Sequence, residues 1–94
     1  MKIVMTSTFK KAAKKLHRNQ IAVLEKTIDK IIHEPNLGEL KIGDLAGVRV
    51  YKFSIHHQLK LLVYRHNEKP APITLLAIAP HENFYANLKK QIND

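Results

Sequence analysis

The residues Pro80-His81-Glu82-Asn83-Phe84-Tyr85 follow directly on the apolar run ITLLAIA. An imidazole can take or give a proton near neutrality, and a tyrosine four residues on shares one side of a helical turn with it. The exit of a packed strand is also where side chains can be held rigidly and still reach solvent. One reading therefore makes His81 a general acid or base, with Tyr85 assisting and Glu82 or Asn83 orienting the ring. The other makes the segment a helix start, with Glu82 or Asn83 as cap and Tyr85 packed with its hydroxyl at the rim. Phe84 is a core anchor in either case.

What reaction suits this set is limited by what surrounds it. The sequence has no nucleophile elbow, phosphate-binding loop, dinucleotide fingerprint or metal-ligand spacing, so no cofactor and no metal are expected. His56-His57 falls at the tip of a hairpin, where neighbouring strand side chains diverge to opposite faces and do not converge on one ion. Metal-free RNA cleavage needs a base for the 2′-hydroxyl, cations for the phosphorane and an acid for the leaving oxygen. Lys52 and Arg49 are candidate cations, with Lys60 and Arg65 also on strands; the alternative is ordinary exposed strand charge. Lys10, Lys11 and Lys14, with Lys15 and Arg18, crowd the first helix and offer either a polyanion surface or a solvated face.

The elements that must position these residues are written in the apolar periodicity. KIVM is a short first strand, and Thr6, Ser7 and Thr8 supply helix caps after it. Phe9, Ala12, Ala13 and Leu16 share one helical face; His17-Arg18-Asn19-Gln20 interrupts. Ile21, Leu24, Ile28 and Ile31 or Ile32 write a second helix, which stops near Glu34-Pro35 because a residue before proline is pushed out of helical space. NLGELKIGDLAG holds all three glycines of the chain and is expected to form turns with nothing regular beyond them. VRVYKFSI alternates, with Tyr51, Phe53 and Ile55 on one face and Val50, Lys52 and Ser54 on the other. QLKLLVYRH and PITLLAIA complete an antiparallel three-strand meander, and the second of these is apolar on both faces, as in a strand covered on both sides or central in its sheet. Phe84, Leu88 and Ile92 have helical spacing. The expected fold is α+β: a short N-terminal strand, a helical hairpin packed on an antiparallel sheet, and a short C-terminal helix.

Ninety-four residues are enough for one domain, 1–94, with one core. Sixteen Lys and Arg against eight Asp and Glu give a formal charge of +8, so a polyanion or an acidic protein is the expected partner. No run reaches the roughly 20 apolar residues that cross a bilayer, and MKIVMTSTFKK lacks a long apolar signal region, so the expected setting is cytoplasmic, away from membranes. The absence of cysteine leaves no disulfide or thiolate metal site.

In this order of elements, the words LAGVRVYKF, KLLVYRH and ITLLAIAPHENFY resemble the RelE/ParE superfamily of bacterial type II toxins across nearly the whole chain. The resemblance implies a toxin neutralised by a cognate antitoxin through an acidic or amphipathic segment. RelE-like members cut messenger RNA on the ribosome with basic sheet residues and a late His, Arg or Tyr; ParE-like members inhibit DNA gyrase without such a site. Lys52 matches a basic strand position of the nuclease branch, His81 the position after the last strand, and Tyr85 falls close to the late tyrosine. Ser54 departs from a second lysine of some nucleases. Leu61 replaces a strand arginine, unless a one-residue slip brings Lys60 there, which would turn the side chain to the other face. The leading expectation is a ribosome-dependent mRNA endonuclease. The alternatives are a non-catalytic gyrase inhibitor and a simple nucleic-acid-binding module.

Overall fold

A computed structural model describes residues 3–41, 47–66 and 73–80. The chain order is β1 (Ile3–Met5), α1 (Ser7–Lys14), α2 (Arg18–His33), β2 (Glu39–Leu40), β3 (Arg49–Ile55), β4 (Gln58–His66) and β5 (Ile73–Pro80). The strands form one sheet in the order β1-β5-β4-β3-β2. Strands β3, β4 and β5 make the expected antiparallel meander, β2 adds antiparallel to β3, and β1 adds parallel to β5. The class is α+β as expected, with a five-stranded mixed sheet where the sequence suggested three meander strands and a leader. The proposed C-terminal helix lies outside the described residues.

Thr6 joins strand to helix. Its N–H donates to the Leu75 carbonyl (3.1 Å), extending the β1–β5 ladder. Its Oγ1 then accepts from the Phe9 N–H (3.1 Å), capping α1, and donates to the Leu76 carbonyl (3.0 Å). The joint between the helices is shorter than the polar run suggested. It centres on Lys15 to His17, and Arg18 to Gln20 already form the first turn of α2. The Gln20 side chain reaches back to the His17 N–H (2.8 Å), so polar residues that look like a linker stabilise a helix start. The last bond of α2 runs from the Glu34 N–H to the Lys30 carbonyl, ahead of Pro35.

Both helices pack on one face of the sheet. Phe9 of α1 and Leu24 and Ile31 of α2 meet Phe53, Ile55, Leu62, Tyr64, Ile73 and Leu75 in the main core. Ile31, not Ile32, is the fully buried member of its pair. On the opposite face Val48, Val50, Leu61, Val63, Ala77 and Ala79 form a second buried cluster. β5 is therefore an interior strand buried on both faces, as its apolar run suggested, while β4 holds the centre of the sheet. Its alternation breaks once: Tyr64 pairs with Leu75 but Val63 pairs with Ala77, so Leu76 is an extra residue. Before this bulge Ile73 and Leu75 face the helices; after it Ile78 does, and Ala77 and Ala79 turn to the other face. Among the described residues, no helix is long and apolar enough to cross a membrane.

β2 corrects the expectation that the glycine-rich middle carries nothing regular. Glu39 pairs with Val50 and Leu40 with Arg49, and the Lys41 N–H donates to the Val48 carbonyl. What holds this segment on the sheet is a lock around Tyr64. The buried tyrosine hydroxyl donates to the Pro35 carbonyl (2.6 Å) and accepts from the Gly38 N–H (2.8 Å). Arg49, directly across from Tyr64, donates to the Gly38 carbonyl (2.8 Å) and the Asn36 carbonyl (3.3 Å).

Burial raises the Tyr64 phenol above its ordinary value of 10.0, against the opposing pull of the Gly38 hydrogen bond and the Arg49 charge. An acid whose pKa is raised by folding loses stability as pH climbs past its unfolded value, because the unfolded chain ionises first. Wild type should therefore exceed Tyr64→Phe in stability by about 1–3 kcal/mol near neutrality, and the gap should narrow above pH ~10. Chemical denaturation of both proteins between pH 7 and 11 checks this. A gap that widens with alkalinity contradicts the assignment.

Candidate functional site: the open end of the sheet

The strand register decides which candidate residues can work together. Lys52 of β3 lies opposite Leu61 of β4, which lies opposite Ala79 of β5. These three form one row on the face away from the helices. Lys52 is exposed, and it has no ion pair or side-chain hydrogen bond with another described residue. The next row toward the hairpin is Ser54 opposite Leu59, both exposed. Beyond it the turn His56-His57 closes the hairpin. Among the described residues, the hairpin end of this face thus offers one cation, a hydroxyl, an exposed leucine and two imidazoles.

Lys60 is not part of this surface. It sits between Phe53 and Pro80 and shares the parity of Leu62 and Tyr64, which face the helices. Leu61, only 2% exposed, holds the place beside Lys52. The position in question in the sequence is thus apolar on Lys52's own face. Arg49 also lies on the helix side, and its guanidinium is engaged by the Asn36 and Gly38 carbonyls. Arg65 does share Lys52's face. It stands four positions from Leu61 along β4, about 13 Å at the usual rise per residue, with buried Val63 between them. Lys10, Lys11 and Lys14 are exposed on α1, which packs on the opposite face.

The structure therefore divides the sequence candidates into Lys52 with the hairpin tip on one face, and Arg49, Lys60 and the α1 lysines on the other. His81 and Tyr85 lie outside the described residues. Among the described residues, no group of three or more His, Asp or Glu is arranged to hold a metal ion. An open cleft of about 430 Å³ lies beside the end of α2, lined by Asp29, Lys30, His33, Glu34, Leu37 and Tyr51. It contains none of the candidate residues.

Two features escaped the sequence reading. Ser54 and Leu59 border Lys52 because of exact hairpin register, which only a two-residue loop after Ile55 could have fixed. The Tyr64 lock was signalled by a lone phenol in the apolar strand LLVYRH, since a buried tyrosine hydroxyl needs a partner.

The chain is thus a small basic α+β domain, a helical pair on a mixed five-stranded sheet, with the exposed Lys52 near the β3–β4 turn. The model of the ParE-like toxin of type II bacterial toxin–antitoxin systems matches residues 3–89, and the chain belongs to that family. No curated relative matches it by sequence alone. Three solved structures share the fold. The toxin–antitoxin complex RelBE2 from Mycobacterium tuberculosis aligns with TM-score 0.70 at 21% identity over 85% of this chain and 96% of that one. A mutant of E. coli toxin RelE in the free state gives TM-score 0.72 at 13% identity over 96% and 90%. The YoeB/ParE toxin from Agrobacterium tumefaciens gives 0.64 at 20% over 86% and 99%.

Proposed function

We propose that this toxin is a ribosome-dependent mRNA endonuclease that acts without a metal and arrests translation in the cytoplasm. The observation that carries the reading is the row Lys52–Leu61–Ala79, whose β5 member lies two residues before His81 in the chain. A lysine on that row can neutralise a phosphate whose neighbouring hydroxyl is deprotonated by a base following β5. In this mechanism His81 moves the proton, Lys52 stabilises charge on the phosphorane, and Tyr85 positions a base or assists proton transfer. Arg65 lies further along the same face as a contact for flanking phosphate. Lys10, Lys11 and Lys14 supply sequence-independent attraction to RNA from the other side.

The inferred partner is a cognate antitoxin with an acidic or amphipathic segment. The +8 charge supports it, as does the solved complex of the M. tuberculosis relative. One observation favours a second reading, non-catalytic inhibition of DNA gyrase. Leu61 is buried beside Lys52, where the resemblance to nucleases implies an arginine, so the cationic set is thinner than theirs.

Ribosomes programmed with a defined message separate the two. The expected result is site-specific cleavage that His81→Ala reduces by about 10²-fold or more. Absence of cleavage, with supercoiling by purified gyrase inhibited equally by wild type and His81→Ala, overturns the nuclease reading in favour of the second.

A further inference from the structure

The turn between β3 and β4 has the wrong residues for stability. Ile55 pairs with Gln58, leaving a loop of only His56 and His57, and both have positive φ (49° and 68°). Positive φ at both central positions is the mark of a type I′ turn, for which Asn-Gly and Asp-Gly are the favoured sequences. Histidine tolerates this region better than most side chains but less well than asparagine or glycine. Two in succession, both exposed, form no contact that compensates, since neither has a hydrogen bond or ion pair with another described residue. Backbone placed in a sparsely populated region without local reward points to function.

The surroundings identify the ligand. From Arg49 to His66 the hairpin contains four Lys or Arg and three His with no Asp or Glu, in a chain that has eight acidic residues elsewhere. The tip adjoins the exposed row of Ser54 and Leu59, and Lys52 lies one row further on the same face. Flat rings that can stack on bases or donate to phosphate, an exposed apolar side chain and a free ammonium make a single-strand nucleic-acid surface.

We propose that His56 and His57 form an RNA-binding tip, which grips single-stranded RNA next to the segment bound by Lys52. The proposal rests on RNA being the target and adds a contact outside the proton-transfer set. Holding both imidazoles at the apex of a two-residue turn fixes their separation and limits the freedom lost on binding, which a flexible loop would not do.

The test replaces the pair by the sequence that the turn itself prefers. The variant His56→Asn/His57→Gly should raise Tm by about 5 °C, because positive φ is then relaxed. Its Kd for a fluorescein-labelled 12-nucleotide RNA, read by anisotropy, should weaken about tenfold. Lys26→Gln, on exposed α2, should change Kd less than about twofold, which controls for general charge. Unchanged affinity with raised Tm overturns the proposal, and so does a Tm that fails to rise. Failure of wild type to bind the oligomer overturns the tip, while the nuclease reading stands or falls separately on cleavage of ribosome-bound message. Binding that follows the expected pattern without ribosomal cleavage supports the tip and sinks only the nuclease mechanism.

Discussion

Gly38→Ala is expected to lower Tm by roughly 10–20 °C, a loss of about 2–4 kcal/mol. The added Cβ would lie 2.7 Å from the Tyr64 hydroxyl, 2.8 Å from its Cε1 and 3.1 Å from its Cζ. A flexible side chain could swing away from such a contact, but Tyr64 is fully buried, and its hydroxyl is held by the Pro35 carbonyl and the Gly38 N–H. Moving the ring breaks both bonds and opens space in the main core. The glycine is required here for room, in contrast to Gly47, where φ is +84° and nothing lies within 4 Å of a Cβ. Because the tightest clash is with the hydroxyl oxygen, Gly38→Ala/Tyr64→Phe should lose less than the sum of its parts. Calorimetry of the four proteins in the cycle measures the coupling, and a Tm for Gly38→Ala within about 2 °C of wild type would refute the lock.

Lys52→Ala should carry the other large effect, on activity instead of stability. Removing a cation that neutralises a developing phosphorane costs on the order of 10²–10³ in rate. Since the side chain is exposed and without a partner among the described residues, the fold should lose less than about 0.5 kcal/mol. Lys60→Ala should affect cleavage much less, for Lys60 points to the helix side while Lys52 points away from it. Single-turnover cleavage of ribosome-bound message by both variants distinguishes them. If Lys60→Ala were the more damaging, the working surface would lie on the other face, and the role given to Lys52 would fail.

Much of this fold was legible because its strands obey period two. Gln58–His66 matches the expected strand end to end, and Tyr51, Phe53 and Ile55 share a face against the helices. The bulge at Leu76 was not legible, since in ITLLAIA every residue is apolar or small enough to face either way. Alternation shows itself only when the two faces differ in polarity. The two-residue strand Glu39–Leu40 was hidden for another reason: it is held by pairing with β3 and by the lock from Arg49 and Tyr64, which lie 11 and 26 residues beyond Gly38. Arg49 shows the same limit at the site. A strand arginine in a basic protein looks like a phosphate ligand until the carbonyls it binds are known. The facing of Lys52 was legible because strand parity alone puts it away from the helices, and the alternation of VRVYKFSI carries that parity. His81 and Tyr85 rest on the chain order and the resemblance.

The parallel pairing of β1 with β5 has a consequence for timing. Ile3 meets Ile73 and Thr6 meets Leu75 and Leu76, so the first strand made must wait for the last strand described before it has a neighbour. That last strand lies between β1 and β4, so until it is synthesised β1 has no place beside the β4-β3-β2 part of the sheet. Contacts between such distant segments form slowly, after the intervening loops have closed. The nascent chain can build its helices and the β3–β4 hairpin early, yet the row of Lys52 and Leu61 acquires Ala79 only after β5 has been made. A toxin assembled in this order has no finished Lys52 row until its fifth strand has emerged, so the sheet edge that β4 offers to β5 stands open while the chain is still being made.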